Sequence, residues 1–390
     1  MDSLPGHLLD KVLFKTDLRA LAMLCCTNTS LQSHIQNPSF VSEYYSQIKS
    51  SLLHTSTRGS VNIGYYNPHD DSRSLKIKRI SRECRLLGYC SGLLLLYFID
   101  DRLCVTNPVR KKFRFLTLSN HMRYDARMVL GLAVDQTDRT TKSFKVVCIF
   151  KMAKTDETRY GFDINAGDSW TLSKTTLACH KSNLDYSMKN PIYVDGSLHW
   201  LRNDGSIIAF NPETEQARLI QIELPHGLSS RTVFASIDNS LTLVSANEEV
   251  ICVYSLKNIL SDPKWVLMKQ IHNGVIKKIG VEWYIEAYNS KCIVLRGDQK
   301  NTVQFSCARL VYMYDLIDNK WVAMGSVPTW SYASLDFILF TPSPSSVVGL
   351  DEILACGDRN ISSLRLIMGL VDGSSSEKVE NKLGRMSVEE

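Results

Sequence analysis

The chain has 390 residues, 44% hydrophobic and 22% charged, and its 45 Lys and Arg against 40 Asp and Glu leave a net charge of +5. This length favours one small module joined to one large domain with a sizeable core. The composition excludes a disordered or fibrous protein, and the small net charge does not indicate nucleic-acid binding. The longest apolar run, residues 93–99, is far below the about 20 residues that span a bilayer, so we expect no membrane partner.

The eleven cysteines follow no metal-binding or disulfide pattern. The opening residues lack a secretory signal, so we expect free thiols in a reducing compartment, the cytoplasm and/or the nucleus. No Cys-x-x-Cys, zinc helix, nucleophile elbow or phosphate loop occurs, and we therefore predict no metal, no cofactor and no catalytic residue. His199 is expected to be a core histidine, and Asp100 and Asp101 to lie in a hairpin turn.

Residues 1–48 predict a module of three short helices. Pro5 suits a first helical turn, the second helix is expected from Leu18 to about Cys26, and the third from Ser30 to Gln36. Three helices in about 50 residues form a poor independent core, so the module needs a partner to cover its apolar side chains. The first helix carries a single apolar stripe, formed by Leu8, Leu9, Val12 and Leu13.

From about residue 60 the hydrophobic period becomes that of an all-β domain. A weak repeat, in which an apolar strand and a polar turn precede a returning strand, starts at residues 103, 160, 207, 252 and 311. Its intervals of 57, 47, 45 and 59 residues suit four-stranded blades, which recur at roughly 40–50 residues. We predict a β-propeller of about six blades over residues 49–372 and a disordered tail over residues 373–390.

Two surface features accompany this prediction. The long intervals indicate elaborated loops near residues 118–128 and 296–306, where partner recognition usually occurs, although surface loops also tolerate plain insertions. The basic run from Lys76 to Arg79 is expected to be a solvated strand or loop edge.

The N-terminal module resembles the F-box, and the match continues without a gap from Leu4 to Val41. Its opening is Leu4-Pro5-x-x-Leu8-Leu9-x-x-Val12-Leu13, followed by Leu21, Cys26 and Ser30-x-x-Ser33-x-Ile35-x-Asn37-Pro38-Ser39-Phe40-Val41.

The remainder resembles the kelch-like propeller domain that accompanies the F-box in many plant proteins. Four blocks occur in the family's order: Leu87-Gly88 to Gly92-Leu-Leu, Asn107-Pro108 with Arg110 and Phe113, Gly131-Leu-Ala-Val-Asp135 leading to Phe144-Lys145-Val146-Val147, and Val194-Asp-Gly196-Ser-Leu198-His199-Trp200-Leu201.

The resemblance implies a non-catalytic substrate receptor of a Skp–cullin–F-box (SCF) ubiquitin ligase. The helices would dock on a Skp-type adaptor, and through it on the cullin–RING ligase, while the propeller would bind an unidentified protein to be ubiquitinated. The implied adaptor-binding residues are Leu4, Pro5, Leu8, Leu9, Val12, Leu13, Leu18, Leu21, Leu24 and Leu31.

Departures from the family pattern leave an alternative open. Family members usually carry Leu-Pro at Thr16-Asp17, a basic residue at Thr29 and tryptophan at Leu31. A smaller side chain at Leu31 buries less apolar area, at a cost of about 1 kcal/mol or more. The alternative is a propeller interaction scaffold with a degenerate F-box and no role in ubiquitin transfer.

Overall fold

A computed structural model provides the fold of the chain. The residues it describes are 4–16, 18–47, 51–56, 62–66, 75–79, 84–98, 100–121, 130–136, 141–152, 158–180, 182–184, 190–225, 232–237, 239–246, 249–272, 281–299, 309–327, 336–343, 346–350 and 359–371. The predicted disordered tail, 373–390, lies outside them.

Four helices make up the N-terminal module, one more than predicted. They are α1 (Gly6–Leu13), α2 (Leu18–Thr27), α3 (Thr29–Ile35) and α4 (Pro38–Gln47). Asn28 begins α3 because its side-chain oxygen accepts hydrogen bonds from the backbone N–H groups of Ser30 (2.7 Å) and Leu31 (3.3 Å). The third helix ends before Pro38, as predicted, and Pro38 then opens α4, since its missing N–H is no loss in a first turn.

The rest of the described chain forms a β-propeller, as the repeat predicted, and the propeller has six blades. Blade 2 contains β4 (Cys84–Cys90), β5 (Leu93–Phe98), β6 (Arg102–Asn107) and β7 (Lys112–Leu116), and blade 3 contains β8 (Leu130–Gln136), β9 (Thr141–Lys151), β10 (Thr158–Asn165), β11 (Trp170–Leu172) and the short β12 (Leu177–Cys179). Blade 4 contains β13 (Ile192–Val194), β14 (Ser197–Leu201), β15 (Ile207–Asn211) and β16 (Gln216–Ile220), and blade 5 contains β17 (Val233–Ile237), β18 (Ser240–Ala246), β19 (Val250–Lys257) and β20 (Lys264–His272). Blade 6 contains β21 (Val281–Tyr288), β22 (Cys292–Gln299), β23 (Arg309–Asp315) and β24 (Lys320–Val327).

Blade 1 closes the ring by joining distant parts of the chain. It combines β1 (Ser51–Ser56), β2 (Asn62–Tyr66) and β3 (Lys76–Arg79) with β25 (Asp336–Phe340), which pairs antiparallel with β1. The first strands of successive blades contact one another in a closed cycle, from β25 through β4, β8, β13, β17 and β21 back to β25. The cycle makes these six strands the inner wall and leaves the fourth strand of each blade on the perimeter.

The hydrophobic core is divided into six clusters, one for each junction between neighbouring blades. Strand side chains alternate between the two faces of a sheet, so each blade contributes to two clusters. In β5, for example, Leu94 and Leu96 face blade 1, whereas Leu93 and Leu95 face blade 3. The near-continuous apolar runs of the sequence follow from this burial on both faces.

The sequence repeat coincides with the hairpin between the third and fourth strands of blades 2 to 6. In three of these hairpins an Asn or Asp side chain closes the turn by accepting two backbone N–H bonds. Asn211 accepts from Glu213 (2.8 Å) and Thr214 (2.9 Å). Asn107 in blade 2 and Asp315 in blade 6 each accept the same pair of backbone hydrogen bonds.

Beyond β25 the chain runs across blade 2 and then packs a helix into the ring. Gly92, in the tight turn between β4 and β5, has φ +87°, and a Cβ there would stand 2.2 Å from the Cβ of Ser343. The short β26 (Ser346–Val347) then pairs parallel with β9 of blade 3. Finally α5 (Arg359–Val371), which the sequence analysis did not predict, fills the junction between blades 1 and 2.

Candidate partner-binding surfaces

The first helix divides its apolar residues between two faces. Leu8 and Val12 are four positions apart and point outward with 41% and 53% of their surfaces exposed, and Leu4 continues this line with 45%. Leu9 and Leu13 are displaced by about 100° around the helix and face the core of the module. The single stripe seen in the sequence is therefore divided into one exposed face and one packing face.

The packing face is held by the other three helices. Leu13, Leu21, Leu31, Ile35, Phe40 and Tyr44 form the buried cluster, with Leu9, Phe14, Leu24 and Cys25 partly buried against it. The Tyr44 hydroxyl donates to the Thr16 carbonyl (2.7 Å), and Asp10 of α1 lies 2.6 Å from the His34 ring nitrogen of α3. These bonds hold α1 in place, so its exposed face is displayed by a defined fold.

The ten predicted adaptor-binding residues thus fall into separate groups. Leu4, Pro5, Leu8 and Val12 are exposed, Leu9 and Leu24 are half-buried, and Leu13, Leu21 and Leu31 are buried within the module. Leu18 lies in α2, but its side chain is outside the described part of the chain. Met23 of α2, which the sequence analysis did not select, is 63% exposed.

The departures from the family pattern lie mostly away from the exposed face. Leu31 is buried in the core of the module, so its smaller side chain affects the packing of the helices first. The Thr16 hydroxyl donates to the Leu13 carbonyl (2.6 Å) just after α1. Thr29 is exposed at the start of α3, and Asp17 lies outside the described residues.

The connections of the propeller differ in length between its two ends. At one end the hairpin turns are short: residues 91–92, 195–196 and 212–215 are examples. At the other end the blade-to-blade connections are long, including 117–129, 221–232 and 273–280. The described strands on either side of the predicted loops near 118–128 and 296–306 end on this side of the ring, although residues 296–299 are still part of β22. Residues 122–129 and 300–308 lie outside the described part.

A polar cluster anchors the start of the first of these loops. The buried Asp163 of β10 accepts hydrogen bonds from the Ser119 hydroxyl (2.5 Å) and from His121 Nδ1 (2.8 Å), and the His121 ring stacks on Phe150 at 3.9 Å. These contacts fix the direction in which the loop leaves blade 2.

His199 and Asp101, which were considered as possible catalytic groups in the sequence, lie in a buried strand and in a hairpin turn. His199 is buried in β14, where burial lowers its pKa from 6.5 to about 4, and its Nδ1 lies 3.3 Å from the Ile192 carbonyl. Asp101 adopts φ +61° in the turn between β5 and β6, as expected for a turn aspartate. Among the described residues, no group of three His, Cys, Asp or Glu side chains is placed to hold a metal ion. None of the described helices has the length and hydropathy that crossing a bilayer requires.

Together these features define a class: a small helical module with an exposed apolar face, followed by a closed six-bladed propeller. The sequence profile of the F-box associated β-propeller domain matches residues 60–326. The chain belongs to this family of F-box proteins with an associated propeller.

Three similar proteins from Arabidopsis thaliana are also F-box proteins. An F-box/kelch-repeat protein is 44% identical over 358 residues, covering 90% of this chain and 79% of the relative. One F-box protein is 44% identical over 374 residues, covering 90% and 87% of the two chains. Another is 44% identical over 300 residues, covering 71% and 94%. Proteins of this kind typically act as non-catalytic adaptors.

Proposed function

We propose that this protein is the substrate receptor of an SCF ubiquitin ligase, acting in the cytoplasm and/or the nucleus. The observation that supports this most directly is the exposed apolar face of α1, where Leu4, Leu8 and Val12 are accessible to solvent in the isolated chain. A partner with an apolar groove would remove these side chains from water, at a gain of about 25 cal/mol per Å² of buried area. The Skp-type adaptor is the partner that the F-box family implies.

The propeller would hold the protein to be ubiquitinated. The strands that its long connections join end at one side of the ring, and recognition residues are disproportionately found on loops carried by a rigid scaffold. The receptor itself performs no bond chemistry in this scheme. It raises the effective concentration of a target lysine near the conjugating enzyme that the ligase recruits.

Co-purification with a Skp-type adaptor tests the proposal. A Leu8→Asp/Val12→Asp variant places two carboxylates in the apolar interface, so adaptor affinity should fall by about a hundredfold or more. The matched control is Leu260→Asp/Ile317→Asp, because these propeller side chains are 82% and 62% exposed and the variant adds the same two charges. Circular dichroism should show both variants folded, since none of the four positions is buried.

Two results would reject the proposal in different ways. Undiminished adaptor binding by the Leu8→Asp/Val12→Asp variant would show that α1 is not the docking helix. Failure of the folded wild-type chain to bind any Skp-type adaptor would favour the alternative scaffold function. In that case departures such as Leu31, where the family usually carries tryptophan, would have disabled the F-box.

A further inference from the structure

The positive charge of the chain is concentrated in blades 1 and 2. Residues 51–116, which contain β1 to β7, hold twelve Lys and Arg against five Asp and Glu, a net charge of +7. The whole chain carries +5, so the other 324 residues together carry −2. Two further arginines and no acidic residue come from α5, which packs between these blades.

Much of this charge lies on the outer surface of the ring. In the perimeter strand of blade 1, Lys76 and Arg79 are exposed and Lys78 is half-buried. In blade 2, Arg110 and Lys111 are exposed in the turn that precedes the perimeter strand β7, and Lys112 begins that strand. We call these six residues the basic wall.

The helix between the two blades adds to this charge. Arg365 of α5 is exposed in the junction that separates blade 1 from blade 2. The nearby acidic residue Asp100 already accepts hydrogen bonds from Arg102 (2.8 Å) and Asn360 (2.6 Å). Arg114 lies 2.9 Å from Asp168, and the basic wall is defined without Arg102 and Arg114.

The composition of the surface favours an acidic protein segment over other anions. Base stacking on aromatic side chains strengthens the binding of single-stranded nucleic acids, and the exposed ring described in blades 1 and 2, Tyr89, lies on the innermost strand of its blade, three strands from the perimeter. Apolar side chains beside basic ones strengthen membrane association, and in the described part of β3 only Ile77 provides one.

We propose that the basic wall binds an extended, Asp- and Glu-rich segment of the target protein. This inference rests on the proposed receptor function and specifies the chemistry of its substrate. Surface charges of one sign accelerate the encounter with a complementary partner and discriminate against partners of like charge. The acidic segment would therefore bring the target to the propeller, and contacts elsewhere on the domain would complete its recognition.

Binding of a fluorescently labelled polyglutamate peptide tests this proposal. The variant Lys76→Glu/Lys78→Glu/Arg110→Glu/Lys111→Glu reverses four charges of the basic wall, and its affinity should fall by at least about tenfold. A matched control, Lys257→Glu/Lys264→Glu/Lys269→Glu/Lys320→Glu, reverses four charges on blades 5 and 6 and should bind like the wild type. Wild-type binding should weaken between about 0.1 M and about 1 M salt, as the screening length shrinks from about 10 Å to about 3 Å.

Several outcomes would overturn the inference. These are no peptide binding by the wild type, equal losses in both variants, or tighter binding of a single-stranded oligonucleotide or of phosphatidylserine vesicles than of the peptide. Adaptor co-purification is measured on the same variants, because reversal of the basic wall should leave it unchanged. Loss of peptide binding with adaptor binding intact therefore separates this inference from the receptor function itself.

Discussion

At the scale of single residues, the junction between blades 3 and 4 leaves no room for an added carbon at Gly131. Gly131 of β8 lies against Leu198 of β14, and a Cβ at position 131 would stand 2.7 Å from one Leu198 methyl carbon and 2.8 Å from the other. Leu198 is fully buried in the core between blades 3 and 4, so it cannot rotate into solvent. The glycine that opens one of the family's sequence blocks is thus required by the approach of two blades.

Gly131→Ala should destabilise the propeller by about 1–3 kcal/mol through overpacking, and thermal unfolding should show a melting temperature lower by several degrees. The control is Gly88→Ala in β4, where a Cβ meets nothing within 4 Å. Equal melting temperatures for the two variants would contradict the explanation.

His199 makes stability depend on pH. Burial lowers its folded-state pKa to about 4, whereas the unfolded chain protonates it near 6.5, so between these values the unfolded state binds more protons. Stability should therefore be lost as pH falls from about 6.5 to about 4, by on the order of 3 kcal/mol. Urea unfolding of His199→Gln should show a shallower loss over this window. Parallel pH profiles for variant and wild type would exclude His199 as the source.

At the scale of elements, the third-to-fourth-strand hairpins depend on their turn side chains. Asn211→Ala removes the acceptor of two backbone hydrogen bonds and should cost about 1–3 kcal/mol, since each such bond contributes about 0.5–1.5 kcal/mol. Asn211→Asp keeps the accepting oxygen and should remain close to wild type. Denaturant midpoints measure both, and an equally destabilised aspartate variant would show that the amide nitrogen, not the oxygen, matters.

Because these hairpins carry a recognisable turn, the sequence reveals the blades through them. The repeat identified the hairpin in blades 2 to 6, and it failed in blade 1, where nine residues separate Tyr66 from Lys76. The helix α5 was not predicted because its apolar residues follow directly on polar ones without a proline or an acidic first turn. Its apolar run therefore resembles one more buried strand until the junction that receives it is known.

The exposed face of α1 could be predicted only in part, for a related reason. A helical stripe specifies which residues are apolar, but neighbouring helices decide which side of it they cover. Leu13 and Leu31, which were predicted to bind the adaptor, are buried in the core of the module, and Met23, which was not selected, is exposed. The aromatic contact of Phe14 with Phe40 on α4 (5.2 Å) fixes this division, and α4 itself was not anticipated.

At the scale of the whole molecule, α5 completes the junction where the ring closes. Leu364, Ile367 and Met368 are almost fully buried among side chains of blades 1 and 2. Ile367→Ala should leave a cavity and cost about 2–5 kcal/mol, measured by thermal unfolding. The exposed neighbour Arg365→Ala should change stability by no more than about 0.5 kcal/mol. If the two variants lost similar stability, the helix would not be part of the closure.

The composition of blade 1 also determines when the propeller can finish folding during synthesis on the ribosome. The strand β1 is synthesised about 280 residues before β25, with which it pairs, and synthesis proceeds at about 5–20 residues per second. For that interval Leu52 and Leu53, fully buried in the finished ring, lack their covering strand. A message that ends before codon 336 therefore yields no smaller closed propeller, only a chain whose first strand lacks its partner and which chaperones and proteases must handle.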